Sequence, residues 1–491
     1  MKQYIKEISK HSIIYTISNF LTKATGLILI PVYTHFLTTS DYGIVSNVLA
    51  IINFLSVVYI FGMNAVWGRY FFDFADKSTE QKKFFGSTFF PLILGGLILN
   101  ILLSFFGEGL FQTLIPDLDF SPFVLLAIWT AFFAVVFNLK LTLFRVRQQS
   151  LQFGIISFGR FLLTVMATIY AVAILRYGAF GKVFAQFAVW GLFFLIVIYL
   201  LKKDLSFSLQ SPKLKSALKY ALGVLPHSLS GSVMNIIDRV ILTNIKGLAA
   251  TGIYTVGFQF GSIMQLIVFS FNLSWTPFFM KTAKEKGQEA KQIFSRLSTY
   301  YVIVMYIIAL VITLFGADMI YLFTTKNYFD AIGVIPIYVF NFVIYGFYFI
   351  ASAKVFYVKK AVKYIALITF AAAGINVLLN FLLIPDMGME GAAWARFISS
   401  VSLFIIVHIV SQRFYFIPYE YKKIIGSTVP LLVVLIVFFM IKPLLNDLYF
   451  LLIIVKIVLI GLYLSYMHFT RLFTLKEGIE FFRMFRKPKA S

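Results

Sequence analysis

The sequence predicts an all-α, polytopic integral membrane protein of about 14 transmembrane helices, arranged as two pseudo-symmetric six-helix bundles plus two extra C-terminal helices. Three observations predict it. Of the 491 residues, 60% are hydrophobic and only 13% are charged, with a mean hydropathy of +0.89; soluble domains carry about 25% charged residues. The apolar runs are long enough to cross a hydrocarbon core of roughly 30 Å as helices, whereas a barrel would show short alternating segments. Finally, the chain repeats itself at an offset near 210.

The apolar segments fall at 12–36, 43–72, 84–107, 121–144, 153–175, 181–201, 217–243, 252–280, 296–320, 332–357, 365–385, 391–411, 425–443 and 450–469. The first is preceded by lysines, as a signal peptide is. It is too long for one, is interrupted by Asn19 and Lys23 and lacks a small-x-small site, so it reads as an uncleaved helix. Ser12, Thr16, Asn19, Lys23 and Gly26 share one face of that helix. Lys23 sits near its middle, where a charge costs roughly 3 kcal/mol and faces a cavity or bundle interior.

The loops set the topology. Thirty of the 43 Lys and Arg lie on the N-terminus, the even-numbered loops and the C-terminus, against five on the odd-numbered loops. This asymmetry places both termini in the cytoplasm. It also accounts for the net charge of +23 without nucleic acid.

The repeat is carried by three matches. Gly178, Gly181, Ala185 and Phe187 correspond to Gly388, Gly391, Ala395 and Phe397. Ser40-Asp41-Tyr42-Gly43 aligns with Ala250-Thr251-Gly252, and Asn64-Ala65-Val66-Trp67 with Asn272-Leu273-Ser274-Trp275. The expected lobes are residues 1–205 and 206–415, followed by helices 13 and 14 with a basic cytoplasmic tail over 416–491. Six helices per copy give both lobes one orientation, about an axis along the membrane normal, which is a transporter architecture with its site between the lobes.

Several stretches then resemble the polysaccharide flippases of the multidrug/oligosaccharidyl-lipid/polysaccharide exporter superfamily. They are Pro31-Val32-Tyr33-Thr34-His35-Phe36-Leu37 before Ser40-Asp41-Tyr42-Gly43, and Gly62 with Gly68-Arg69-Tyr70. Asn235-Ile236-Ile237-Asp238-Arg239 before Thr251-Gly252-Ile253-Tyr254, and Trp275-Thr276-Pro277-Phe278, complete the set. The resemblance covers the whole chain. It implies two lobes around a V-shaped cavity that opens alternately to either side, and a cargo of oligosaccharide on polyprenyl diphosphate. Lipid II flippases and cation-coupled multidrug antiporters are the alternatives it brings. For the O-antigen type it also implies the inner membrane of a bacterium, with a polysaccharide polymerase or glycosyltransferases as partners.

Eight basic residues lie within the segments: Lys23, Arg69, Lys140, Arg160, Arg239, Lys354, Arg396 and Lys456. One acid, Asp238, stands clearly inside, with Glu108 and Glu390 at segment edges. Such a surplus of cations suits a diphosphate and would repel an organic cation. Lys23 and Arg160 are the expected diphosphate ligands, with Arg69, Arg239 and Arg396 along the path. Lys140, Lys354 and Lys456 are expected to snorkel. Asp238 is the candidate coupling site for H+ or Na+; as adjacent residues, Asp238 and Arg239 cannot share a helix face. Pro226 and Gly231 in helix 7 are candidate gate positions.

No cysteine is present and the five histidines lack ligand spacing, so no metal or cofactor is predicted. A glycan polymerase or lipid-sugar transferase needs a carboxylate or histidine constellation. The longest outer connection, near 108–120, offers only Glu108, Asp117 and Asp119, so no enzyme is expected.

Overall fold

The computed structural model describes residues 25–74, 78–208, 213–358, 362–445 and 448–472. Among them there is no strand. The helices are α1 (Ile30–Phe36), α2 (Thr39–Ile60), α3 (Met63–Tyr70), α4 (Ser78–Phe106) and α5 (Glu108–Leu114). They continue with α6 (Leu125–Val146), α7 (Ser150–Ile169), α8 (Gly178–Leu201), α9 (Leu214–Gly261) and α10 (Ile263–Phe323). The last four are α11 (Val334–Tyr357), α12 (Val362–Phe414), α13 (Tyr421–Ile441) and α14 (Tyr449–Phe469). Ten helices among the described residues are long and apolar enough to cross a membrane, and the chain is a polytopic helical membrane protein.

Three connections that the sequence suggests are loops are much tighter. The stretches 244–251, 281–295 and 386–390 stay helical apart from single breaks at Gly247, Gly287 and Gly388, all at positive φ. Along this charged stretch Lys281 lies 3.9 Å from Glu285 and Lys286 3.3 Å from Glu289, the second pair spanning the break at Gly287.

Two compact units result. The first holds the described residues within 1–256, 323–328 and 369–395; the second holds those within 257–322, 329–368 and 396–472. In the first, α6 packs on α2 and α8, and α7 on α8. The α6 core face carries Ala127, Ala131 and Ala134, all buried; small side chains let helix backbones approach where no hydrophobic force separates protein from lipid. The α2 start is fixed by a reciprocal cap, in which the Thr38 hydroxyl accepts from the Asp41 N–H and the Asp41 carboxylate accepts from the Thr38 N–H, each at 3.1 Å.

In the second unit, polar bonds join the helices. Ser400 donates to the Asn341 side chain at 2.7 Å, tying α12 to α11. Tyr306 meets Thr428 at 3.1 Å between α10 and α13, and the Tyr463 hydroxyl donates to the Ser427 carbonyl at 3.1 Å between α14 and α13.

The sequence repeat is visible in geometry. Gly178 and Gly388, 210 positions apart, both have φ near +57°, a conformation that a side chain disfavours. Trp67 and Trp275 are fully buried and pack on Phe85 and Phe294 respectively. Lys140 of α6 binds the Asp204 carboxylate just past α8, and Lys354 of α11 binds the Gln412 amide oxygen near the end of α12.

Within the first unit, two equivalent segments also meet each other. A Cβ on Gly43 would fall inside the Leu248 carbonyl, and one on Gly252 inside the Thr39 carbonyl. Shifting the first pair by 209 residues gives the second. Ser46 and Thr255, also 209 apart, share a hydroxyl–hydroxyl hydrogen bond of 2.6 Å. The start of α2 and the α9 stretch after Gly247 therefore cross on a local pseudo-twofold axis, with backbones touching.

Gly43→Leu and Gly252→Leu should each destabilise the protein by about 1–3 kcal/mol or more through overpacking. Gly223→Ala, where an added Cβ meets nothing within 4 Å, should stay within about 1 kcal/mol, the helix propensity scale. Thermal unfolding in detergent checks this, and equal melting temperatures for all three variants would remove the crossing as a close contact.

Candidate substrate and ion sites

Beside this crossing, α9 presents adjacent charges to different partners. Arg239 is half-buried; its Nε donates to Ser46 Oγ at 2.8 Å and its Nη1 to the Asn235 carbonyl at 2.6 Å. The polar contacts continue through Asn47, whose amide donates to Thr243 at 2.8 Å, and from Thr243 to Thr251 at 2.8 Å.

Asp238 points away from these groups. It is 3% exposed and accepts from the Asn380 amide at 2.9 Å and the Tyr254 hydroxyl at 3.4 Å. Asn376 lies one turn before Asn380 on α12, and both asparagines are fully buried. Among the described residues, the amide oxygens of both have no hydrogen-bond partner. Asp238 thus sits in a buried polar cluster in which the Asn380 amide NH2 faces the carboxylate. Among the described residues no cluster of three or more His, Cys, Asp or Glu exists that could hold a metal ion.

The α7–α8 pair holds a second concentration of charge. Arg160 is 9% exposed, and its guanidinium lies over the rings of Trp190 at 4.4 Å and Phe137 at 4.9 Å. Lys182, which sequence position alone assigns to an outer loop, is inside α8 and 4% exposed, with its ammonium on the Gln186 side-chain oxygen at 2.5 Å.

The remaining sequence candidates are dispersed. Arg69 is exposed on α3 and stacks on Tyr220 at 4.8 Å. Arg396 is 8% exposed on α12, in the second unit. Lys23 lies outside the described residues. The helix runs unbroken through Pro226 and Gly231, where the Ser230 hydroxyl donates to the Pro226 carbonyl at 2.8 Å; the break in α9 comes at Gly247.

Lysines expected to snorkel are instead held by partners. Lys140 and Arg147 both bind Asp204, and Lys456 is 1% exposed against Asp318. Asp318 is an intramembrane acid that the sequence reading omits, because it lies near the end of its apolar segment. Asn376 and Asn380 also escape it, since an uncharged amide on an apolar helix gives no signal. The i, i+4 spacing of Lys182, Gln186 and Trp190 could have shown Lys182 on an inner face. Between α12 and α13, burial pushes the Tyr419 phenol up, so it stays neutral beneath Lys354, whose ammonium lies 5.0 Å from its ring centre.

A family model described as "Polysaccharide biosynthesis protein" matches residues 8–283. A protein of the Lsg locus of Haemophilus influenzae is 22% identical over 299 residues, covering 58% of this chain and 69% of that one. Among solved structures, the lipid II flippase MurJ in an inward closed conformation is similar with TM-score 0.75 and 13% identity, over 94% of this chain and 100% of that one. An inward-facing multidrug resistance MATE transporter of the MOP superfamily gives TM-score 0.62 and 15% identity, over 80% and 94%. A MOP superfamily transporter from Pyrococcus furiosus gives 0.55 and 15%, over 83% and 95%. At these identities the structures establish the shared fold.

Lys456→Met removes the ammonium from the Asp318 carboxylate and should cost about 1.5–3 kcal/mol, the scale of a hydrogen bond to a charged group. The double variant Lys456→Met/Asp318→Leu should recover most of that loss. Melting temperatures of single and double variants check it, and identical values would dissolve the pair as a determinant of α14 docking.

Proposed function

The chain belongs to the polysaccharide biosynthesis protein family, and from that premise we propose that it flips polyprenyl-diphosphate-linked oligosaccharide from the inner to the outer leaflet for surface polysaccharide synthesis. In this reading fourteen crossings, lobes 1–205 and 206–415 and helices 13–14 with their tail (416–491) work by alternating access. The membrane is the bacterial cytoplasmic membrane, with both termini in the cytoplasm. No bond is made or broken, so the residues are needed only to hold charge and to move.

The observation that carries the reading is Arg160. It is a nearly fully buried cation with no ion pair among the described residues, whereas the buried Lys140 and Lys456 each bind a carboxylate. A charge so placed awaits an anion, and a diphosphate is the anion of this cargo class. Lys23 shares that role, with Arg69, Arg239 and Arg396 along the route. A drug antiporter would need acids where this chain offers cations. A lipid II cargo remains the second reading, supported by the likeness to the lipid II flippase.

Asp238, Asn376 and Asn380 form the coupling site in this scheme. Na+ bound there links the ion gradient to the crossing of α2 and α9, since Asp238 and Arg239 are neighbours in one helix. Accordingly, NaCl should raise the melting temperature of the wild-type protein relative to choline chloride at equal ionic strength. Asp238→Asn should abolish the difference. A sodium effect that persists in Asp238→Asn would move the ion elsewhere.

The flippase reading is tested by mass spectrometry of lipid extracts from cells lacking the gene. One multi-sugar polyprenyl diphosphate should accumulate, and Lys23→Ala with Arg160→Ala should fail to restore surface glycan. Accumulation of lipid II with lysis would shift the cargo to peptidoglycan precursors. No accumulation, with new sensitivity to cationic dyes, would overturn the reading.

A further inference from the structure

Lys182 has no place in the scheme above, although at 4% exposed it is buried more deeply than Arg160 or Arg396. It stands on α8 with Gln186 and Trp190 at successive i+4 positions, so the three form one stripe. Its neighbour α7 brings Arg160 over the Trp190 ring. Arg160 and Lys182 are close enough to repel each other electrostatically. The Arg160 Nε is buried with no hydrogen-bond partner among the described residues. An acid near the start of α8 is Asp41, 3.6 Å from where a Gly178 Cβ would stand, but its carboxylate is occupied by the Thr38 cap.

Stacking does not compensate these charges. A cation–π contact recovers only part of what removing an ion from water costs. Two like charges held together make the deficit larger. The groups they present match an oxyanion: a planar guanidinium fork, an ammonium already oriented by Gln186, and an indole face of the kind on which a sugar ring can lie.

We propose that Arg160, Lys182, Gln186 and Trp190 form an oxyanion-binding subsite inside the first unit. It takes one acidic group of the cargo, with Lys182 as the second cation. The proposal rests on the flippase reading and deepens it, because it makes an acidic group close to a sugar part of what is recognised. That group is either the diphosphate or a carboxylate on the glycan, which share this chemistry.

The test uses full-length protein in nanodiscs, titrated separately with farnesyl diphosphate, glucuronate and neutral glucose. Binding is read by calorimetry and by tryptophan fluorescence. Farnesyl diphosphate or glucuronate should bind, and glucose should not. Arg160→Gln and Lys182→Gln should each weaken binding about tenfold or more, the scale of one charge-assisted hydrogen bond. Loss confined to farnesyl diphosphate identifies the diphosphate as the source, and loss confined to glucuronate identifies the sugar acid.

If a charge variant fails to fold, Trp190→Phe keeps the aromatic surface and should remove the ligand-induced fluorescence change. The remaining tryptophans are Trp67, Trp129, Trp275 and Trp394. A signal that survives Trp190→Phe, or affinities unchanged in both charge variants, overturns the subsite. Lipid accumulation in the deletion strain alongside either result would leave the flippase reading standing and remove the subsite alone.

Discussion

A buried positive charge must find a negative or polar partner, and much of this molecule is organised around that requirement. Hydrocarbon offers no water to a lysine in mid-helix, so the protein supplies one partner after another. Asp204 takes both Lys140 and Arg147. Asp318 takes Lys456 and pins the last helix to α10. Gln412 takes Lys354, and Ser46 takes Arg239. These bonds join helices that apolar packing alone would leave free to slide. Among the described residues, Arg160 instead lies over two aromatic rings, and Lys182 meets the side-chain oxygen of Gln186 on its own helix.

The internal repeat gives the second layer of the account. Two copies of a segment that begins a helix with a small residue can cross where both glycines coincide, and Gly43 with Gly252 does this. Ser46 and Thr255 extend the axis by one turn. Arg239 bonds to this same Ser46, and Asp238 is its sequence neighbour. A change in charge at Asp238 is therefore one residue removed from the crossing. In the proposed scheme that short path is what would link ion binding to helix movement; Pro226 itself lies in an unbroken stretch of α9.

Much of the fold was legible in the sequence. Apolar length gave the helices, and the Gly178/Gly388 and Trp67/Trp275 matches located repeats whose geometry agrees in φ and in packing. The connections around Gly247, Gly287 and Gly388 were legible as interruptions of the apolar runs, but not that each tightens to a single glycine break within helix. At the candidate sites, formal charge pointed to Arg160 and Asp238. It could not give Asn376 and Asn380, which become significant only when tertiary packing sets them beside a carboxylate. Lys182 was hidden for a different reason. Position near a helix end suggests solvent, and the one contrary signal was its i, i+4 stripe with Gln186 and Trp190.

The most direct measurement is transfer of a fluorescent polyprenyl-diphosphate sugar across the bilayer of proteoliposomes, followed by quencher access to the outer leaflet. The account predicts transfer faster than in protein-free vesicles and increased by an inward or outward sodium gradient of the correct sign. Transfer no faster than in protein-free vesicles, with uptake of an organic cation in the same preparation, would contradict it and make the buried cations structural.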